Sequence, residues 1–171
     1  AHREENIDIE ANFFSLMNAI NELAKIYDTP ILYSCHPRSK NMITKRGFKF
    51  NEKVIQHSPL GFFDYNKLQQ NAFCVVSDSG TVPEEAAFLG FPAVSIRTST
   101  ERPEAMDKGV FVIGSISSES VLQAVNLAVN MHKNGDVACS VPAYNDENVS
   151  IKVVKLIQSY TGIINKMIWR K

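Results

Sequence analysis

The sequence predicts an α/β domain built on a parallel sheet with helices on both faces, and three observations carry that prediction. Apolar runs of about four to six residues recur along the chain and alternate with helical-period stretches of about 10 to 18. The runs are apolar on both of their faces, as strands buried between helix layers must be. Gly, Pro and Asx residues punctuate the changes from one period to the other.

The elements follow in order. Phe13, Phe14, Leu16, Met17, Ile20, Leu23, Ala24 and Tyr27 recur at helical spacing and predict a helix from about Glu10 to Tyr27. Thr29-Pro30 stops it, and Ile31–Cys35 reads as a buried strand. A polar helix closed by Gly47 follows, then a strand over Lys53–His57 and a helix over Phe62–Asn71. Ala72–Ser77 is the strongest strand, six residues long and almost wholly apolar. The next helix ends at Gly90 and leads to strands at Ala93–Ile96 and Val110–Ile113, separated by a short helix. Ser117-Ser118-Glu119 caps a helix to about Met131. Residues 1–132 therefore form the domain, and 133–171 a connector with a last helix carrying Val153, Val154, Leu156, Ile157 and Tyr160.

Bulk composition narrows the function. With 18 basic and 18 acidic side chains, the chain offers no broad electrostatic attraction for nucleic acid or an anionic membrane. An anion must instead be held by a few placed groups. Cys35, Cys74 and Cys139 are widely spaced and read as reduced thiols, which fits a cytoplasmic protein. No metal-ligand spacing occurs, and no cofactor is expected. The absence of GxGxxG, GxxxxGKS and GxSxG argues against a dinucleotide fold, a P-loop and an α/β-hydrolase.

Ligands of open parallel sheets bind beyond the C-terminal strand ends, so the loops that follow strands are the ones to read. Ser77-Asp78-Ser79-Gly80-Thr81 joins the strongest strand to a helix, where backbone N–H groups and the helix dipole favour an anion. Either this turn holds a ligand, or Asp78, Ser79 or Thr81 simply caps the helix. Glu84 and Glu85 either compensate the dipole or accept hydrogen bonds from the two hydroxyls of a ribose. Arg102, in Thr100–Glu104, presents a fork of donors suited to phosphate. His36 follows its strand as a candidate pocket residue, and His2 lies in a polar opening cluster with Arg3 and Glu5.

Together, HREEN from His2, HPR at 36–38, PLGFFDY at 59–65, SDSGTVPEEAAFLGFPAVSIR at 77–97 and TERPEA at 100–105 resemble the non-hydrolysing UDP-N-acetylglucosamine 2-epimerases. The resemblance implies a Rossmann-like domain, the C-terminal half of a two-domain GT-B enzyme, with residue 1 close to the join. It implies that Ser79, Gly80 and Thr81 hold the diphosphate and Glu85 the ribose. Tyr65 would stack on uracil, with Phe62 and Phe63 as rivals. His2 would act near the phosphates and sugar, while Arg102 and His36 line the cleft. The implied chemistry is elimination of UDP to a 2-acetamidoglycal, then re-addition with inversion at C2. The acid/base carboxylates belong to the other half, so this chain by itself is expected to be inactive. Full-length members are commonly homodimers. Thr81, where DSGG is usual, and the closing segment resemble the branch acting on 6-deoxy UDP-sugars for capsule or O-antigen. A UDP-sugar glycosyltransferase domain and a non-catalytic nucleotide-binding module are the alternative readings.

Overall fold

The computed structural model describes residues 3–136 and 140–171; His2 and Cys139 lie outside the described residues. The chain divides into two units, Ala1–Ser140 and Val141–Lys171. The first unit contains α1 (Glu4–Ile7), α2 (Glu10–Tyr27), β1 (Ile31–Ser34), α3 (Pro37–Arg46), β2 (Val54–His57) and α4 (Phe62–Gln70). It continues through β3 (Val75–Ser77), α5 (Val82–Leu89), β4 (Ala93–Ser95), α6 (Pro103–Met106), β5 (Val112–Ile113) and α7 (Ser118–Lys133). Every strand pairing is parallel, as the alternation of elements requires.

Three expectations need correction. Only Val75–Ser77 of the predicted Ala72–Ser77 strand pairs with β4. Residues 72–74 are taken up by the exit from α4, where the Ala72 N–H donates to the Gln69 carbonyl at 3.1 Å. The Phe73 ring then packs against Tyr27, 5.2 Å between centroids. The predicted single sheet is also two ladders, β1-β2 and β3-β4-β5. Leu16, Ile20 and Leu23 of α2 line an apolar cleft together with residues of β1 and β3. The Val110–Ile113 strand is likewise shorter than expected, and pairs only at Val112 and Ile113.

The core lies between the strands and the α2–α7 pair. Phe13, Leu16, Met17, Leu23 and Ala24 of α2 meet Val121, Ala124, Val125 and Val129 of α7 within one buried cluster. Each large apolar side chain buried there contributes about 1.5–3 kcal/mol of transfer free energy. Phe14 and Tyr27, expected on the apolar face, are only partly buried and pack against the cluster's edge. Close approach of α7 depends on Gly114: a Cβ there would stand 2.9 Å from Val94 Cγ1 and 3.2 Å from Ala124 Cβ. The capping motif reads as the sequence predicted, with Ser117 Oγ accepting from the Ser120 N–H at 3.2 Å.

Glu4–Ile7 form the short helix α1, in which Asn6 and Ile7 are fully buried. Two arginines of α3 fix it from outside. Arg38 forks onto Asp8 and also reaches Glu4 Oε1 at 3.0 Å. Arg46 donates to the carbonyls of Ile7 and Asp8, both at 2.7 Å, while its guanidinium lies 4.6 Å above the Phe13 ring. An opening that looks merely polar in sequence is therefore anchored on both sides.

The second unit carries a 3-10 turn (Pro142–Tyr144) and α8 (Val149–Met167). Val153, Val154, Leu156, Ile157 and Tyr160 of α8 are all exposed. Among the described residues no helix is long and apolar enough to cross a membrane.

Candidate functional site

The turn after β3 is held from beneath by Asp78. Its carboxylate, 1% exposed, accepts from the Arg3 backbone N–H at 2.9 Å and from Asn6 Nδ2 at 3.3 Å. The Asp78 carbonyl accepts from Arg3 Nε at 2.9 Å, and Asn6 Nδ2 also reaches the Ile96 carbonyl at 3.2 Å. Asp78 and Asn6 thus tie Arg3 and α1 to the ends of β3 and β4. Thr81 is the N-cap residue of α5 and its own side chain makes no capping bond, while within the turn Ser77 Oγ accepts from the Ser79 N–H at 3.1 Å and Ser79 Oγ from the Thr81 N–H at 3.4 Å. The positive dipole end of α5 opens onto this turn.

The hydroxyls of the turn point along a chain of bonds to Glu85. Ser79 Oγ and Thr81 Oγ1 share a hydrogen bond at 3.0 Å, and Thr81 Oγ1 donates to Glu85 Oε1 at 2.7 Å. On the far side, Gln69 Nε2 donates to Glu85 Oε2 at 2.5 Å. Gln69 is 3% exposed, so one oxygen of Glu85 is fixed by a buried amide from α4. An ionised carboxylate has about four acceptor positions. Thr81 and Gln69 use one on each oxygen, which leaves acceptor capacity on both. Two adjacent hydroxyls of a ligand fit that arrangement.

Tyr65 lies half-buried on α4, one turn before Gln69, and burial, then the charge of Glu85, push its phenol above the usual tyrosine value. The two rival aromatics turn away: Phe62 and Phe63 are 75% and 85% exposed, against a half-buried Tyr65. Tyr65 and Gln69 line the cleft between β1 and β3, a mainly apolar space of about 550 Å³. Ser34, His57 and Ser77, which end β1, β2 and β3, line it as well, so it reaches the C-terminal strand ends where a ligand was expected.

The basic residues divide differently from the prediction. Arg102 donates through Nε to Glu84 and through Nη1 to the Glu101 carbonyl at 3.3 Å, so the fork expected to face phosphate is partly engaged. Glu84 is accordingly an ion-pair partner within the site. His36 caps α3, its Nδ1 accepting from the Arg38 N–H at 3.2 Å. His2 lies outside the described residues; its neighbour Arg3 is placed against Asp78.

Two contributors were missed in the sequence. Gln69 sits among polar residues at the end of α4, and nothing local marks it as buried. Arg97, read as the start of a loop, is 5% exposed and grips Glu101 through both terminal nitrogens. Its Nη1 would lie 3.8 Å from a Cβ placed on Gly80. The i,i+4 spacing of Arg97 and Glu101 was the available signal.

Known proteins share this arrangement of elements. The family model described as UDP-N-acetylglucosamine 2-epimerase matches residues 1–158. The UDP-N-acetylglucosamine 2-epimerase of Methanocaldococcus jannaschii is 33% identical over 137 residues, 78% of this chain and 37% of that protein. The structure of the Rickettsia bellii UDP-N-acetylglucosamine 2-epimerase superposes with a TM-score of 0.80 at 38% identity. That match covers 100% of this chain and 46% of the other. The M. jannaschii enzyme in complex with UDP-GlcNAc and UDP gives a TM-score of 0.78 at 29% identity, covering 92% of this chain and 43% of that one. This chain therefore spans less than half the length of these relatives. On the extent of the family match, the chain belongs to the UDP-N-acetylglucosamine 2-epimerase family.

Proposed function

We propose that this chain is the UDP-binding, C-terminal half of a UDP-N-acetylhexosamine 2-epimerase. The observation that carries the reading is the hydrogen-bonded chain from Ser79 through Thr81 to Glu85, whose other oxygen is held by the buried Gln69 amide, at the N-terminus of α5. The M. jannaschii relative, solved with UDP-GlcNAc and UDP, supports the choice of ligand.

In this reading the diphosphate lies over the Ser79-Gly80-Thr81 backbone, where N–H groups and the α5 dipole oppose its charge. The ribose hydroxyls donate to Glu85, and the uracil lies by Tyr65. His2 and Arg102 border the diphosphate and sugar, with His36 further out along the strand ends. The reaction eliminates UDP to a 2-acetamidoglycal and re-adds it with inversion at C2. The task of this half is to stabilise the charge developing on the departing diphosphate and to retain UDP between the two steps. Acid/base groups for C2 and C3 come from the other half, so the chain alone binds nucleotide without turning over. Assignment to the 6-deoxy branch supplying capsule or O-antigen precursors rests on Thr81 and the closing segment.

Calorimetric titration of the 171-residue chain with UDP tests the reading. Saturable binding is expected, weakened about 3- to 10-fold in Ser79→Ala, the effect of one neutral hydrogen bond. A chain that shows no saturable response to UDP at tens of millimolar overturns it.

A further inference from the structure

Arg97 occupies an unusual position for a guanidinium. It follows β4, is 5% exposed, and directs both terminal nitrogens onto the carboxylate of Glu101, at 2.8 Å for Nη1. Glu101 is the opposite kind of residue: its side chain is 58% exposed, and it belongs to the connection between β4 and α6. A buried guanidinium without an anion is strongly disfavoured, so one must be present. The anion supplied is a surface glutamate that gives up side-chain entropy to reach inward. Asp78, also buried beside this turn, is already committed to the Arg3 N–H and Asn6.

Nη1, one of the two nitrogens that hold Glu101, is also the Arg97 atom nearest Gly80. Nη1 would lie 3.8 Å from a Cβ on Gly80, so only a glycine's hydrogens separate the guanidinium from the turn that follows β3. A guanidinium fork accepts two oxygens of a phosphate in the same geometry as two oxygens of a carboxylate. Arg3 adds a second positive charge nearby, and together with Arg97 it holds the Glu101 carboxyl below the usual carboxylate range.

We infer that Glu101 is a stand-in anion: it fills the Arg97 fork while the site is empty, and the diphosphate of the nucleotide displaces it on binding. This rests on the proposed seating of UDP at residues 79–81. Arg97 then becomes a diphosphate ligand from beneath Gly80. Release of Glu101 also frees the segment leading to Arg102, so nucleotide binding is coupled to the position of the β4–α6 connection.

The test is a set of titrations of the chain with UDP and with uridine, which lacks the phosphates. Glu101→Gln removes the competing charge and is expected to tighten UDP about tenfold, the scale of one charge-assisted hydrogen bond, with uridine affinity unchanged. Arg97→Gln is expected to weaken UDP by at least as much and to leave uridine alone. Glu101→Asp keeps the charge with a shorter reach and should fall between wild type and Glu101→Gln. It also preserves the ordering if loss of the charge impairs folding. UDP affinity in Glu101→Gln and Glu101→Asp equal to or weaker than wild type, or an equal gain for uridine, overturns the inference while the UDP reading stands. A wild-type chain that binds no UDP overturns both.

Discussion

Glu85→Ala lowers the affinity of the chain for UDP by about 10- to 100-fold, the cost of losing one or two hydrogen bonds to a charged acceptor. The expectation follows from how Glu85 is held. A buried amide, Gln69, fixes one carboxylate oxygen and the Thr81 hydroxyl orients the other. Little side-chain freedom remains to be lost when a ribose binds. Uridine should lose affinity by the same factor as UDP, because the ribose is common to both. Affinities for uridine and UDP that part company in Glu85→Ala would move this residue from the ribose to the diphosphate. Parallel calorimetric titrations of the two ligands measure it.

Asp78→Ala lowers stability by about 2–5 kcal/mol, because the part-buried Arg3 N–H and one N–H of the buried Asn6 amide lose their shared acceptor. The Arg3 N–H and Asn6 Nδ2 both converge on this one carboxylate, which is 1% exposed. Asn6 keeps the Ile96 carbonyl, and that holds the effect below the sum of two full desolvation penalties. The damage should be local as well as global. Amide hydrogen exchange across α1 should rise more than across α2 and α7, whose packing does not involve Asp78. Urea denaturation of the variant gives the first number and exchange gives the second. A midpoint within experimental error of wild type would mean that the clamp adds nothing to the fold.

Legibility in the sequence followed the range of the interactions. The helix α2 was read to its last residue because its period and its stop are local: apolar spacing sets one face, and Asp28 ends the helix in the left-handed region at φ 50°. Gly47 and Gly90 closed α3 and α5 for the same reason, with φ of 61° and 71°. The strand–turn–helix at 77–81 was also legible, since a strand end, hydroxyls, a glycine and a helix start form a local pattern, while Glu85 was singled out from Glu84 only by the family resemblance. What escaped was decided at a distance. The four residues of α1 are too few to show a period, and their placement depends on Asp78, Arg38 and Arg46, all more than 30 positions away. The first half of the Ala72–Ser77 run has every residue a strand needs, but the α4 exit and the Tyr27–Phe73 contact take it out of the ladder. Gln69 and Arg97 are polar residues whose burial only the assembled fold creates.

The most direct test of the account is a map of backbone amide resonances in the chain as UDP is added. The account predicts saturable shifts at Ser79, Gly80 and Thr81, with smaller ones at Glu85 and Tyr65, and little change at 79–81 when uridine replaces UDP. Shifts confined to other strand ends, or equal responses to UDP and uridine at Gly80, would contradict the claim that this turn holds the diphosphate.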